Sequence, residues 1–304
     1  MSDAGAPKAG LINIGEEAKP PFAILPDLSR VFKARSERFA ELAQGHQLAP
    51  YLEFLGKLTA AQHAVAADLP PVPPLDPEQT SKALAHGMPP LVIDTSRPDA
   101  RLDVTLVRVL DALAKNELAE APKAAIAAMR ALTPEARQAL MADALAGAPT
   151  EDLAQRTLVL AALQVHAARL AQGLNADALK PIADGVCPSC GKPPAASAVV
   201  GWPSAHNTRF CFCSLCGTAW NVVRVKCCLC SSTGGITYRT IEGQEDGVKA
   251  ETCDSCKRYV KIVYQVDHPK LEPFADDVAS LGLDLLLRED GWTRGGQNLF
   301  LLGY

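Results

Sequence analysis

The chain has 304 residues, 48% of them hydrophobic, enough to bury a real core and to form two or so domains. A formal charge of −4 and a pI near 5.9 argue against nucleic acid as the main partner. No run of eighteen apolar residues is present, so no membrane insertion is expected. Met1-Ser2-Asp3-Ala4-Gly5 lacks the basic-then-apolar pattern of a secretory signal and reads as a short disordered lead-in. The expectation is a cytoplasmic protein, in which ten cysteines are metal ligands more readily than disulfides.

From about Asp27 to Leu174 the pattern is helical and alanine-rich. Leu28, Val31, Phe32, Phe39 and Leu42 share one helical face, and Leu48, Tyr51, Leu52, Leu55 and Leu58 begin another. Segments 102–115, 119–131, 134–146 and 151–173 read the same way. Asp76-Pro77-Glu78-Gln79 carries an N-cap, a first-turn proline and a capping-box glutamine, while Thr133-Pro134 and Thr150-Glu151-Asp152 open two further helices. Pro70-Pro71-Val72-Pro73-Pro74 is a stiff connector between helices. No catalytic motif stands out in this region, which reads as a helical scaffold.

The character changes at Asp184-Gly185. Short β-branched runs follow, at Ala198–Val200, Val222–Val225, Ile236–Tyr238 and Ile262–Tyr264, and predict short strands. After Pro269 a helical pattern returns through Phe274, Val278, Leu281 and Leu285. Glycines at 291, 295 and 296 then break it before the apolar tail Leu299-Phe300-Leu301-Leu302, which is expected to pack back on the helical domain.

Within the middle segment lie four Cys-x-x-Cys pairs: Cys187/Cys190, Cys213/Cys216, Cys227/Cys230 and Cys253/Cys256. The second two pairs repeat the first two at an offset of 40 residues, an internal duplication read from ligand register alone. Two cysteines separated by two residues can place both sulfurs on one ion, and two such knuckles complete a tetrahedral S4 site. The pattern therefore predicts two metal ions, one on Cys187, Cys190, Cys213 and Cys216, the other on Cys227, Cys230, Cys253 and Cys256. Tetrahedral sulfur suits iron and zinc alike. Glycine after the second cysteine eases the positive φ of such turns; Gly191 and Gly217 supply it in the first repeat. Ser231 and Lys257 stand there in the second, whose turns should be more strained or differently shaped.

Residues 186–270 carry ten Lys/Arg against six Asp/Glu. Eight thiolates around two divalent ions contribute −4, which cancels that surplus and leaves no nucleic-acid footprint to explain. Cys211 and Cys228 fall outside the register and read as small half-buried thiols, with a spare ligand or a sulfur-handling group as the alternatives. His206 lies near the first site, but sulfur already fills that coordination sphere. Trp202 and Trp220 could shield a site from water or serve as ordinary core.

The chain resembles the formate dehydrogenase accessory proteins called FdhE. The resemblance rests on Cys187-Pro188-Ser189-Cys190-Gly191, on Cys213-Ser214-Leu215-Cys216 with Trp220, and on Arg224 ahead of Cys227-Cys228-Leu229-Cys230. It continues through Cys253-Asp254-Ser255-Cys256 with Tyr259-Val260-Lys261, then Ala275–Ala279, Leu283–Leu286, and Asn298 with Phe300. Leu25-Pro26-Asp27 and Tyr51–Leu55 extend it to the N-terminal part. The pattern departs at Leu299, where proline would be expected. The resemblance implies a cytoplasmic protein that binds the catalytic subunit of respiratory formate dehydrogenase during maturation, and rubredoxin-like sites in which iron is plausible.

The resulting expectation is an α+β protein. An all-α domain (1–184) precedes two rubredoxin-like or zinc-ribbon metal modules (185–226 and 227–270), and a C-terminal helix and tail (271–304) follow. Its function is expected to be that of an assembly factor and not an enzyme, the alternative being an electron-transfer protein using iron–tetrathiolate sites of the rubredoxin type. A zinc-ribbon nucleic-acid binder and a sulfurtransferase acting through Cys211 or Cys228 are weaker readings.

Overall fold

The computed structural model describes residues 20–93, 100–243 and 247–301; the lead-in Met1–Gly5 and Leu302 lie outside them. The helical region holds α1 (Val31–Leu42), α2 (Ala49–Asp68), α3 (Pro77–Ala85), α4 (Ala100–Leu113), α5 (Glu120–Ala131), α6 (Pro134–Ala146) and α7 (Leu153–Gln172). α4 buries a single stripe, Leu102, Leu106, Val109, Leu110 and Leu113, as an amphipathic helix should. α7 is instead buried along most of its circumference and packs against α2, α4, α5 and α6, so it forms the axis of the bundle.

The capping signals act where the sequence places them. Asp76 accepts from the backbone N–H of Glu78 at 2.9 Å, and Thr133 accepts from Ala136. At α7 the cap is Asp152, which accepts from Gln155 at 2.8 Å, while Thr150 fixes Asp152 itself.

The strand-rich part forms one sheet. Its strands are β1 (Ala23–Ile24), β2 (Pro194–Val200), β3 (Thr208–Cys213), β4 (Ala219–Val222), β5 (Ile236–Arg239), β6 (Val248–Cys253), β7 (Arg258–Tyr264) and β8 (Thr293–Arg294). The order is β1-β4-β3-β2-β7-β6-β5, with β8 beside the start of β7. Each repeat is an antiparallel meander, β2-β3-β4 and β5-β6-β7, and β6 repeats β3 at the same 40-residue offset as the cysteines. The repeats meet along a parallel seam, Ser197 opposite Ile262 and Ala198 opposite Val263. First strand beside last strand is a head-to-tail arrangement, without a twofold axis.

Two expectations change. Only Val222 of the Val222–Val225 run is in a strand; Val223 and Val225 sit exposed in the turn linking the repeats. The C-terminal helix is two helices, α8 (Pro273–Ala279) and α9 (Leu281–Glu289), which meet at Ser280. The Ser280 hydroxyl donates to the Asp276 carbonyl, and its backbone oxygen faces Lys261.

Buried charge fixes α8 and α9 to the sheet. Lys261 on β7 is 1% exposed, and its ammonium donates to the backbone oxygens of Asp277 and Ser280 at 2.7 and 2.9 Å. It also faces the carboxylates of Asp277 and Asp284, which Arg294 pairs from the other side. Tyr259 donates to Asp284 at 2.7 Å, and Asn298 to Asp277 at 2.8 Å. Two cations against two anions leave no net buried charge. α8 is tied to the helical region in turn, by Arg38 to Asp276 at 2.7 Å and Arg35 to Glu272 at 3.3 Å. The tail folds back as expected: Phe300 is buried edge-on to Phe39, and Tyr51 donates to its carbonyl at 2.5 Å. Leu299 in place of proline does not loosen it, because Asn298 caps the turn by accepting from the Phe300 N–H.

Removing Asp277 would leave two buried cations, Lys261 and Arg294, to share the single carboxylate of Asp284. Asp277→Ala should therefore lower the unfolding free energy by about 3–5 kcal/mol in urea titration. Burial pushes the Asp277 carboxyl upward, but Arg294 and Lys261 outweigh it and hold the group below the usual carboxylate range. A depressed carboxyl contributes stability above its unfolded pKa of about 3.9 and loses it as pH falls through the lower folded value. Asp277→Asn should accordingly unfold with a shallower dependence on pH across that acid window.

Candidate metal centres

Each knuckle is a tight turn closed by backbone bonds before its sulfurs are considered. Cys187 N–H donates to Lys192 O at 2.9 Å, and Gly191 N–H donates back to Cys187 O at 2.9 Å. The second repeat copies this residue for residue: Cys227 to Ser232 at 2.8 Å, and Ser231 to Cys227 at 2.9 Å. Cys213 and Cys253 end β3 and β6, so the sheet presents the other two knuckles opposite these turns.

The residue after each knuckle has positive φ in all four cases: Gly191 at 74°, Gly217 at 75°, Ser231 at 62° and Lys257 at 55°. The turns of the second repeat thus share the shape of the first, and the missing glycines appear as strain.

Among the described residues, these eight cysteines form two clusters with every sulfur within 4.8 Å of the others in its cluster. In the first, Cys187 Sγ lies 3.7 Å from Cys216 Sγ, and Cys190 Sγ 3.4 Å from Cys213 Sγ. In the second the corresponding distances are 4.0 and 3.7 Å. Metal–sulfur bonds of about 2.3 Å in a tetrahedron put sulfurs about 3.8 Å apart, so both cages fit a Zn2+ or iron ion. These separations are well beyond a disulfide bond.

Backbone N–H groups already point at sulfur. Ser189 donates to Cys187 Sγ at 3.4 Å, Leu215 and Cys216 both donate to Cys213 Sγ at 3.4 Å, and Leu229 donates to Cys227 Sγ at 3.5 Å. Burial drives the Cys187 and Cys213 thiols well above their ordinary pKa. At Cys216 burial acts the same way, but hydrogen bonds from Cys187, Cys190 and Cys213, with the Thr218 hydroxyl 3.2 Å away, outweigh it and favour the thiolate. Cys253 plays this part in the second cluster: the N–H groups of Cys256 and Ser255 overcome its burial and bring it down to about 7. One thiol per cluster is thus ready to ionise, and a bound cation would draw the others after it.

Cys211 and Cys228 belong to neither cage. They are buried beside each other at the junction of the repeats, where Arg209 Nη2 lies 3.8 Å from Cys228 Sγ. His206 is exposed and outside both cages. Trp202 packs on Phe210 and Phe212 in a separate small core, and Trp220 lies in the main core together with the cysteines.

The sequence reading missed Arg209 and Glu251. Arg209 grips Glu251 through Nη1–Oε2 at 2.6 Å and Nη2–Oε1 at 3.1 Å, with Ser197 Oγ between them in the sheet. A signal existed, since both residues sit just ahead of a knuckle in strands related by the 40-residue register.

The family models described as "FdhE, N-terminal", "FdhE, central domain" and "FdhE, C-terminal domain" match residues 20–184, 186–224 and 225–301. The chain belongs to the FdhE family. It is 44% identical over 300 residues to the protein FdhE homolog of Rhizobium meliloti (strain 1021), covering 96% of each chain. It is 34% identical over 291 residues to protein FdhE of Escherichia coli (strain K12), covering 93% of this chain and 91% of that one. The crystal structure of the FdhE protein from Pseudomonas aeruginosa superposes with a TM-score of 0.81 at 32% identity, over 93% of this chain and 99% of that one.

Metal analysis of the purified protein should find two ions per chain. Cys216→Ser should lose one of them, while Cys211→Ser and Cys228→Ser keep both. Lys257→Gly relieves a positive-φ side chain whose ion pair with Asp254 lies on the surface. It should stabilise the second knuckle by up to about 1 kcal/mol, read as tighter metal retention in a competition titration.

Proposed function

We propose that this chain is a cytoplasmic accessory factor for formate dehydrogenase, not an enzyme. In this reading it binds the catalytic subunit during maturation and uses its two four-cysteine metal sites to hold the binding surface in shape. Membership of the FdhE family over nearly the whole chain is the observation that carries the reading. The eight cysteines act as the ligands, four from residues 185–226 and four from 227–270. Residues 1–184 supply the helical scaffold, and 271–304 bind the metal modules to it.

The arrangement of charge supports a protein partner over a nucleic acid. Arg209 and Lys261, two of the basic residues in the cysteine-rich part, are consumed in buried ion pairs and offer nothing to phosphate. No helix among the described residues is long and apolar enough to cross a membrane. The ions supply folding energy to a segment whose strands are short; S4 zinc sites contribute apparent binding energies of about 10–16 kcal/mol.

One observation favours a second reading, electron transfer through iron–tetrathiolate sites. Cys230 and Cys256 of the second cage are partly exposed, which would let an electron reach iron held there. Zinc, with no redox chemistry, would end that reading.

The test is capture of the formate dehydrogenase catalytic subunit on the tagged full chain, with an absorption spectrum and metal analysis of the same sample. The expected result is a complex that forms with wild type and weakens severalfold when Cys187 and Cys227 are both replaced by serine. Failure of the metal-loaded wild type to capture the subunit would overturn the proposal.

A further inference from the structure

We propose that the two cages are unequal by construction. The first is the more covered site and clamps the helical region to the sheet, and the second is the more open site through which the chain takes up and releases its ion. The inference rests on the reading that both cages hold metal, and adds which of them exchanges.

The first cage lies under the helical region. Cys187, Cys213 and Cys216 are each 0% exposed, and Cys190 alone is partly exposed. Both of its knuckles receive a hydrogen bond from helical-region residues at the position just before the second cysteine or just after the first. Leu91 N–H donates to Ser189 O at 2.9 Å, and Gln164 Nε2 on α7 donates to Ser214 O at 2.9 Å. The glycines that end those knuckles also lie close to residues of the N-terminal part. A Cβ on Gly191 would stand 3.2 Å from the Pro89 ring, and one on Gly217 would stand 3.4 Å from Pro26. Lys192, two residues past Cys190, donates to Leu145 O at the end of α6. An ion in this cage therefore fixes two turns on which the helical region rests, and only one of its four sulfurs, that of Cys190, is partly exposed, against two in the second cage.

The same positions in the second repeat lack this cover. Ser214 corresponds to Asp254, which is exposed and whose carboxylate pairs with the exposed Lys257. Ser189 corresponds to Leu229, which lies against Gly185 and Gly295. Cys230 and Cys256 reach partial exposure, one from each knuckle, so an incoming ligand can approach from the side where both sulfurs are open. Ser231 and Lys257 add strain at φ 62° and 55°, which opening the turn would relieve. Exchange then needs only local motion. The incoming chelator's donor atoms replace Cys230 and Cys256 on the ion, the ion leaves with the chelator, and the freed thiolates take protons from water.

The experiment uses the full-length, metal-loaded protein and a chromogenic chelator, 4-(2-pyridylazo)resorcinol, in excess. One equivalent should leave at least tenfold faster than the other. Cys230→Ser should abolish the fast phase and keep the slow one. Gln164→Ala, which removes the bond to Ser214 O without touching a sulfur, should speed the slow phase and leave the fast one unchanged. Limited proteolysis should leave the helical region attached after the first equivalent has gone and free it only with the second. Two equivalents leaving at one rate, a fast phase that survives Cys230→Ser, or a helical region freed with the first equivalent would each overturn the inference while leaving the metal reading intact. A chain that binds no metal with all eight thiols reduced would overturn both.

Discussion

The relation between the two repeats depends on one ion pair. Arg209 extends from β3 of the first repeat across the parallel seam to Glu251 on β6 of the second, with both side chains almost completely out of water. Three parallel pairings along β2 and β7 would position the repeats only loosely. A bidentate guanidinium–carboxylate contact adds direction, and a misregistered seam would leave two buried charges apart, at a cost of several kcal/mol. Arg209 also lies within reach of the carbonyls of Arg224 and Lys226, so the linker between the repeats is held over the same seam. That linker leads directly into Cys227. The position of the second cage is thus set by the contact that joins it to the first.

The C-terminal part applies the same device to a different joint. Lys261, Arg294, Asp277 and Asp284 neutralise one another between β7 and the two closing helices. Arg35 and Arg38 carry the linkage on to α1, where the Arg35 guanidinium also lies 3.7 Å over the Phe274 ring. Helical region, sheet and closing helices therefore meet through paired buried charge and the apolar tail, not through a continuous hydrophobic face alone. Such joints specify one arrangement more sharply than apolar packing does, because a slip of one residue unpairs a charge where a slip between leucines only changes the fit.

Cysteine spacing and helical periodicity were readable because each is a local property. The 40-residue register gave both cages, and the apolar stripes with Asp76, Thr133 and Asp152 gave the helices that the structure contains. β3 and β6 were not read, because Arg209 interrupts the apolar positions of Thr208–Cys213, and Val248–Cys253 holds Lys249, Glu251 and Thr252 with Val248 as its one β-branched apolar residue. Val223–Val225 failed in the opposite sense: β-branched residues stand exposed in a turn because the linker is held by Arg209 and not by its own apolar content. The break at Ser280 was hidden as well, since Leu281 continues the helical pattern and only Lys261, about twenty residues earlier, shows why the carbonyl there turns away.

Duplication by head-to-tail pairing has a consequence that twofold pairing would not. In a twofold dimer of modules both cages would meet equivalent surroundings; along a line, one repeat must face the N-terminal neighbour and the other must end the row. Here the first repeat meets β1 and the helical region, while the second ends in β5, an edge strand with Thr237, Tyr238 and Arg239 exposed. The glycines follow the same division. Gly191 and Gly217 are positions where a side chain would press on Pro89 and Pro26, whereas Ser231 and Lys257 stand where the fold leaves room for one. Glycine in the first repeat thus answers two demands, positive φ and close approach, and only the first of these acts on the second repeat. The sequence difference between otherwise superimposable turns records which cage is covered.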